Sequence, residues 1–111
     1  MLALPATALG YSIHDYRVRD AGSTIRHSLT VCKDRYDLVH RFGLTSRVET
    51  ADGRDKRFRY SEYTVRRGCR RLTQWYPDVL KYEGRYRGRV KVRLLQTDDV
   101  RYTPWRRFRS S

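Results

Sequence analysis

The chain has 111 residues, enough for one modest hydrophobic core and too few for two. At 39% hydrophobic and 33% charged, with nine Tyr, three Phe and two Trp, it is too aromatic for a disordered chain and too polar for a large core. A formal charge of +13 destabilises the compact state by self-repulsion unless anions answer it, which points to a polyanionic partner and away from a small-molecule substrate.

The basic residues are 21 Arg and 4 Lys. Arginine offers a planar fork for phosphate and a flat face for stacking, which lysine does not; a GC-rich genome is the competing source of the bias. Residues 1–53 hold seven basic and six acidic side chains (+1), and residues 54–111 hold eighteen and six (+12), so a basic surface is expected in the second half.

Residues 1–10, "MLALPATALG", are apolar but carry no basic leader and are shorter than the roughly 20 residues of a membrane span. They are read as an N-terminal arm. Tyr11 to Val18 is a short β-tolerant run, followed by a turn at Gly22. From Ser23 on, Ile25, Leu29, Cys32, Tyr36, Val39 and Phe42 recur at steps of three or four with Gly43 behind them, which predicts an amphipathic helix. The competing reading puts Ile25, His27, Leu29 and Val31 on one face of a strand; the helix accounts for more positions.

Asp52-Gly53 separates two β-tolerant runs and predicts a hairpin, with Arg57 and Arg59 on one face of its second arm and Phe58 and Tyr60 on the other. Its polar composition suggests a protruding hairpin. Val65, Cys69, Leu72 and Tyr76 then fall at steps of four, three and four after a candidate cap at Ser61, predicting a second helix, interrupted by Gly68 and ended at Pro77. Arg66, Arg67, Arg70 and Arg71 would lie beside or opposite that stripe. In "RYRGRVKVRLLQ", Val90, Val92 and Leu94 alternate with Arg89, Lys91 and Arg93, the cleanest strand signal in the chain. Residues 101–111 mix arginines and aromatics with little periodicity and read as an extended tail.

The expected fold is therefore α+β, a small single domain over 11–100 with two amphipathic helices on a short antiparallel sheet and an extended basic C-terminal tail. Cys32 and Cys69 are too few for a zinc cluster or a disulfide scaffold and read as reduced, partly buried thiols, with one bridge left open. His14, His27 and His40 have no ligand spacing, and Asp98 and Asp99 are adjacent turn residues, so no metal, cofactor or catalytic centre is expected.

The expected nucleic-acid-binding residues are Arg66, Arg67, Arg70 and Arg71 on the helix, Arg87, Arg89, Lys91 and Arg93 on the strand, and Trp105, Arg106, Arg107, Phe108 and Arg109 in the tail, ordering on binding. No motif of a sequence-specific DNA reader is present. In composition the chain resembles accessory ribosomal proteins, including those of organelles. The resulting expectation is a non-catalytic intracellular component of a ribonucleoprotein, in the ribosome or mitochondrion, holding structured RNA such as rRNA among neighbouring proteins. The alternatives are an accessory subunit of a mitochondrial membrane complex, with acidic subunits or anionic lipid headgroups as partners, and a phage structural or DNA-binding protein.

Overall fold

The computed structural model describes residues 10–22, 24–34, 38–77 and 84–110. These residues contain strands and no helix: β1 (Tyr11–Asp20), β2 (Thr24–Lys33), β3 (His40–Thr50), β4 (Lys56–Val65), β5 (Cys69–Pro77), β6 (Gly84–Leu94), β7 (Asp99–Tyr102) and β8 (Arg106–Ser110). One sheet runs β1-β2-β5; the other runs β4-β3-β6, with β7 and β8 sharing the far side of β6. All pairings are antiparallel. The chain changes sheet after β2, β4 and β5, and its inner faces enclose a single hydrophobic layer, which makes an immunoglobulin-like sandwich.

This replaces the expected α+β fold. The first expected helix is β2 and the start of β3. Along β2 the side chains of Ile25, His27, Leu29 and Val31 are buried while Arg26, Ser28, Thr30 and Cys32 are only partly covered, a period of two that the helical spacing of Ile25, Leu29 and Cys32 concealed. The β-branched Thr24, Ile25, Thr30 and Val31 favour the extended form. Tyr36 of that predicted stripe lies outside the described residues, as do residues 1–9 of the apolar arm and residues 78–83 beyond Pro77.

The second expected helix is the end of β4, a tight reversal at 66–68, and β5. Gly68 has φ +50°, and a Cβ there would meet nothing within 4 Å, so its role is conformational. Leu72, Gln74 and Tyr76 then point inward on β5. The expected tail is β7 and β8, both paired to β6. The Asp52-Gly53 hairpin forms, with Gly53 at φ +76°, but it does not protrude, because β3 is a central strand between β4 and β6. Within the turn, Asp52 accepts from the Arg54 N–H (3.0 Å) and the Thr50 hydroxyl (2.7 Å), which hold its carboxyl below the usual range.

Cys32 and Cys69 are opposite each other on β2 and β5 and form a disulfide, not the reduced thiols expected. Cross-strand register brings together two cysteines that sequence distance alone kept apart.

The core has a larger cluster around Leu29, Phe42, Leu44, Leu72, Val92 and Leu94, and a smaller one of Ile25, Val48, Tyr76 and Tyr86. Between them run polar ties from sheet to sheet. Ser46 hydrogen-bonds Gln74, the Gln74 amide donates to the Leu44 carbonyl (3.1 Å), and the Tyr76 hydroxyl donates to the Ser46 carbonyl (2.5 Å). Each satisfies a group that burial would otherwise penalise.

Gly88 on β6 lies close against β1 and β2 of the other sheet. A Cβ there would lie 3.1 Å from the His27 ring, 3.1 Å from the Tyr16 hydroxyl and 3.3 Å from the Arg47 carbonyl, so a branched side chain has nowhere to go. Gly88→Val is expected to lose about 2 kcal/mol by overpacking, measured by urea unfolding; stability equal to the parent would show that β6 can shift away from β2.

Candidate polyanion-binding face

Register fixes which side chains share the outward face of the larger sheet. Arg47 lies across from Phe58 on β4 and from Arg89 on β6, and Thr45 across from Tyr60 and Lys91. Lys91 in turn pairs with Tyr102 on β7, while Arg87 and Arg85 pair with Arg107 and Arg109 on β8. Along β6 the inward Tyr86, Val90, Val92 and Leu94 are buried, so the alternating Arg85, Arg87, Arg89, Lys91 and Arg93 turn to solvent. The acids at equivalent positions are Glu49 and Glu62.

Between β7 and β8 the chain makes a short break that sets Trp105 onto this face. Pro104 has no N–H to give a ladder. Thr103 closes the gap instead: its hydroxyl accepts from the Val90 N–H (2.9 Å), and its own N–H donates to the Val90 carbonyl (3.0 Å). Trp105 then lies among guanidinium groups, with Arg87 at 4.3 Å from the ring centroid, Arg89 at 4.5 Å and Arg47 at 5.7 Å. Arg89 also lies 4.6 Å from the Tyr102 ring, and Arg47 5.4 Å from Phe58. Stacking holds the planar groups by their faces and leaves their N–H edges available.

The arginines of this ladder are not equivalent. Glu49, nearly buried, accepts from Arg87 (2.7 and 3.0 Å) and from Arg47 (2.8 Å). Burial pushes its carboxyl up, but the hydrogen bonds and charges of Arg87 and Arg47 outweigh that and bring it below the ordinary carboxylate range. Arg89, held between two rings, has no hydrogen bond or ion pair among the described residues. Phe58, Tyr60 and Tyr102 are each more than half exposed on the same sheet face.

The other expected site residues are dispersed. Arg66 and Arg67 are exposed in the β4–β5 reversal. Arg70, the second residue of β5, donates to the Thr64 carbonyl (2.6 Å). Arg71 lies on the outward face of the smaller sheet, bound to Asp15, Thr30 and Ser28. Arg107 and Arg109 face outward on β8, whereas Arg106 pairs with Gly88 and Phe108 turns inward to stack on Tyr86 (5.9 Å). Sequence reasoning missed Arg47, Arg85, Phe58 and Tyr102. The Asp52-Gly53 turn could have found the first and third, since a register built from it sets Arg47 opposite Phe58. Among the described residues, no three His, Cys, Asp or Glu side chains gather as metal ligands.

No family model and no curated protein matches the chain. Among solved structures it is similar to part of β-glucosidase 3B from Thermotoga neapolitana, solved in complex with α-D-glucose, with 13% identity and a TM-score of 0.57. The match takes in 92% of this chain and 17% of the glucosidase. At that identity the likeness is one of fold.

Proposed function

We propose that the chain is a non-catalytic module that binds a linear polyanion, a sulfated or phosphorylated polysaccharide, along the outward face of the β4-β3-β6-β7/β8 sheet. The observation that carries this reading is Arg89, stacked between Trp105 and Tyr102 with no acidic partner among the described residues and flanked in register by Lys91, Arg87 and Arg47. A guanidinium already immobilised by stacking loses little freedom when it forks onto an anionic oxygen. The row of basic residues along β6 repeats on one face every second residue, about 7 Å apart, a spacing that suits a polymer with repeated charges better than one small ion. The Cys32–Cys69 disulfide supports a site of action where such bonds persist, which favours polysaccharide over RNA.

A second reading keeps the ribonucleoprotein role. It rests on Phe58, Tyr60 and Tyr102, exposed rings beside arginines on a sheet face, which are able to stack unpaired bases.

The test is binding of the intact chain to heparin and to single-stranded and structured RNA over a salt series. Heparin is expected to bind more tightly at physiological salt, with affinity falling steeply as salt rises, and Arg89→Gln is expected to weaken it about tenfold and to flatten the salt slope by about one unit. Tighter binding to RNA, lost in the same variant, would favour the second reading. No binding to any of them at low salt would end both.

A further inference from the structure

We propose that the outward face of the β1-β2-β5 sheet carries a separate site for one tetrahedral oxyanion, a phosphate or sulfate group, held by Arg19, Arg26 and Ser28. It lies on the opposite side of the sandwich from the Arg89 ladder and does not depend on it.

The register sets Arg19 directly across from Arg26, and Arg17 across from Ser28. Like charges facing each other on neighbouring strands destabilise a sheet, and the pairing here makes sense with an anion between them. A cleft opens at this point, lined by Arg17, Arg19, Arg26, Ser28 and Arg71.

The walls of the cleft are already fixed by other contacts. Arg71 donates to the Asp15 carbonyl (2.8 Å), the Asp15 carboxylate (3.3 Å), Thr30 (3.1 Å) and Ser28 (2.8 Å). Arg17 donates to the same Asp15 carboxylate (3.1 Å), so that acid is engaged by both of its neighbours. Ser28 accepts from Arg71, and its own O–H remains to donate into the cleft. Arg26 is stacked over Trp75 at 4.3 Å, across the β2–β5 pair.

Arg26 itself is left incompletely satisfied. Its Nε is shut off from solvent and has no hydrogen-bond partner among the described residues. A charged N–H group deprived of both water and a partner is costly; the Nε itself is closed to an incoming ion, but an oxyanion seated between Arg19 and Arg26 meets the terminal N–H groups of the same guanidinium and offsets that cost through its charge. Two guanidinium groups and a hydroxyl, coming from two strands, offer donors in several directions, as a tetrahedral group requires and a flat carboxylate does not.

The experiment follows the arginine Nε–Hε signals of the 15N-labelled intact chain by NMR. Inorganic sulfate and inorganic phosphate are titrated separately, each against sodium chloride at equal ionic strength. The Arg26 signal is expected to shift saturably with a dissociation constant on the order of 1 mM, and Arg19→Gln and Arg26→Gln are each expected to weaken binding, read from the Ser28 and Trp75 backbone signals, by about fivefold or more.

A heparin arm identifies the source of the group. If heparin also saturates Arg26 and inorganic sulfate competes, the site takes a group presented on a polymer; if heparin leaves Arg26 unmoved while the inorganic ions saturate it, the site takes the free ion. Saturation of Arg26 in a chain that fails to bind heparin leaves this site standing and removes the ladder reading. A shift that chloride reproduces, a shift that never saturates, or an affinity unchanged by Arg26→Gln overturns the proposal.

Discussion

Replacing Cys32 and Cys69 together by serine is expected to lower the stability of the fold by roughly 3–4 kcal/mol. The two residues are direct partners on β2 and β5, and the bridge closes a segment with a sequence separation of 37 that contains β3, β4 and the turn between them. In the unfolded chain that closure removes a large share of the accessible conformations, which is the origin of the estimate. The folded chain keeps its register without the bridge, because Val31, Leu29 and Ile25 of β2 remain buried and paired to β5 through Leu72 and Tyr76. Urea unfolding of the parent and the double-serine variant, with the parent repeated in reductant, measures the effect. The variant and the reduced parent should coincide. A loss below about 1 kcal/mol in both would mean that the unfolded chain is already compact across this loop.

Elements whose signal is local were legible in the sequence. The alternation of Val90, Val92 and Leu94 with Arg89, Lys91 and Arg93 identifies β6 and its basic face, and Asp52-Gly53 identifies the β3–β4 turn. Both statements need only neighbours along the chain. The two expected helices failed because spacings of three and four also arise in strands: Val65 to Cys69 spans the Gly68 reversal, and Ile25 and Leu29 lie on the inward face of β2 while Cys32 lies on the outward one. What decides between the two periods is pairing with strands far away in sequence, such as β2 with β5.

The same limit applies to the site. Arg87, Arg89, Lys91 and Arg93 are found from β6 alone, whereas Arg47, Phe58 and Tyr102 reach that face only through pairing with β6 or β3. The stretch from Arg66 to Arg71 looks like one basic unit, yet the reversal at Gly68 and the alternation of β5 send its arginines to different parts of the surface. Phe108 looks available to a base, and Tyr86 takes its ring instead.

His27 makes the fold acid-labile. It is fully buried, with Nδ1 sharing a 2.8 Å hydrogen bond with the Tyr16 hydroxyl, the Tyr76 ring 5.4 Å away and Gly88 against its edge. Its Nε2 has no hydrogen-bond partner among the described residues. Burial pushes the imidazole from 6.5 down to about 3, and burial also pushes the Tyr16 and Tyr76 hydroxyls up, so these neighbours stay neutral in acid. The unfolded chain therefore takes a proton on His27 near pH 6.5 while the folded chain refuses it until about pH 3. The stability this residue protects is complete above pH 6.5 and is lost progressively as the pH falls towards 3. The slope approaches about 1.4 kcal/mol per pH unit, and between pH 7 and pH 4.5 the loss should reach about 2.5 kcal/mol. Glu49 and Asp52, held below the ordinary carboxylate range, lose their own stabilising effect only from about pH 5 downward, so the interval from pH 7 to pH 5 reads His27. His27→Gln keeps a hydrogen-bonding group beside Tyr16 without the titration, so its urea-unfolding free energy should be lower at pH 7 and nearly level down to pH 5. If the parent proves as level as the variant over that range, the buried imidazole is reached by water and carries its proton in the folded chain.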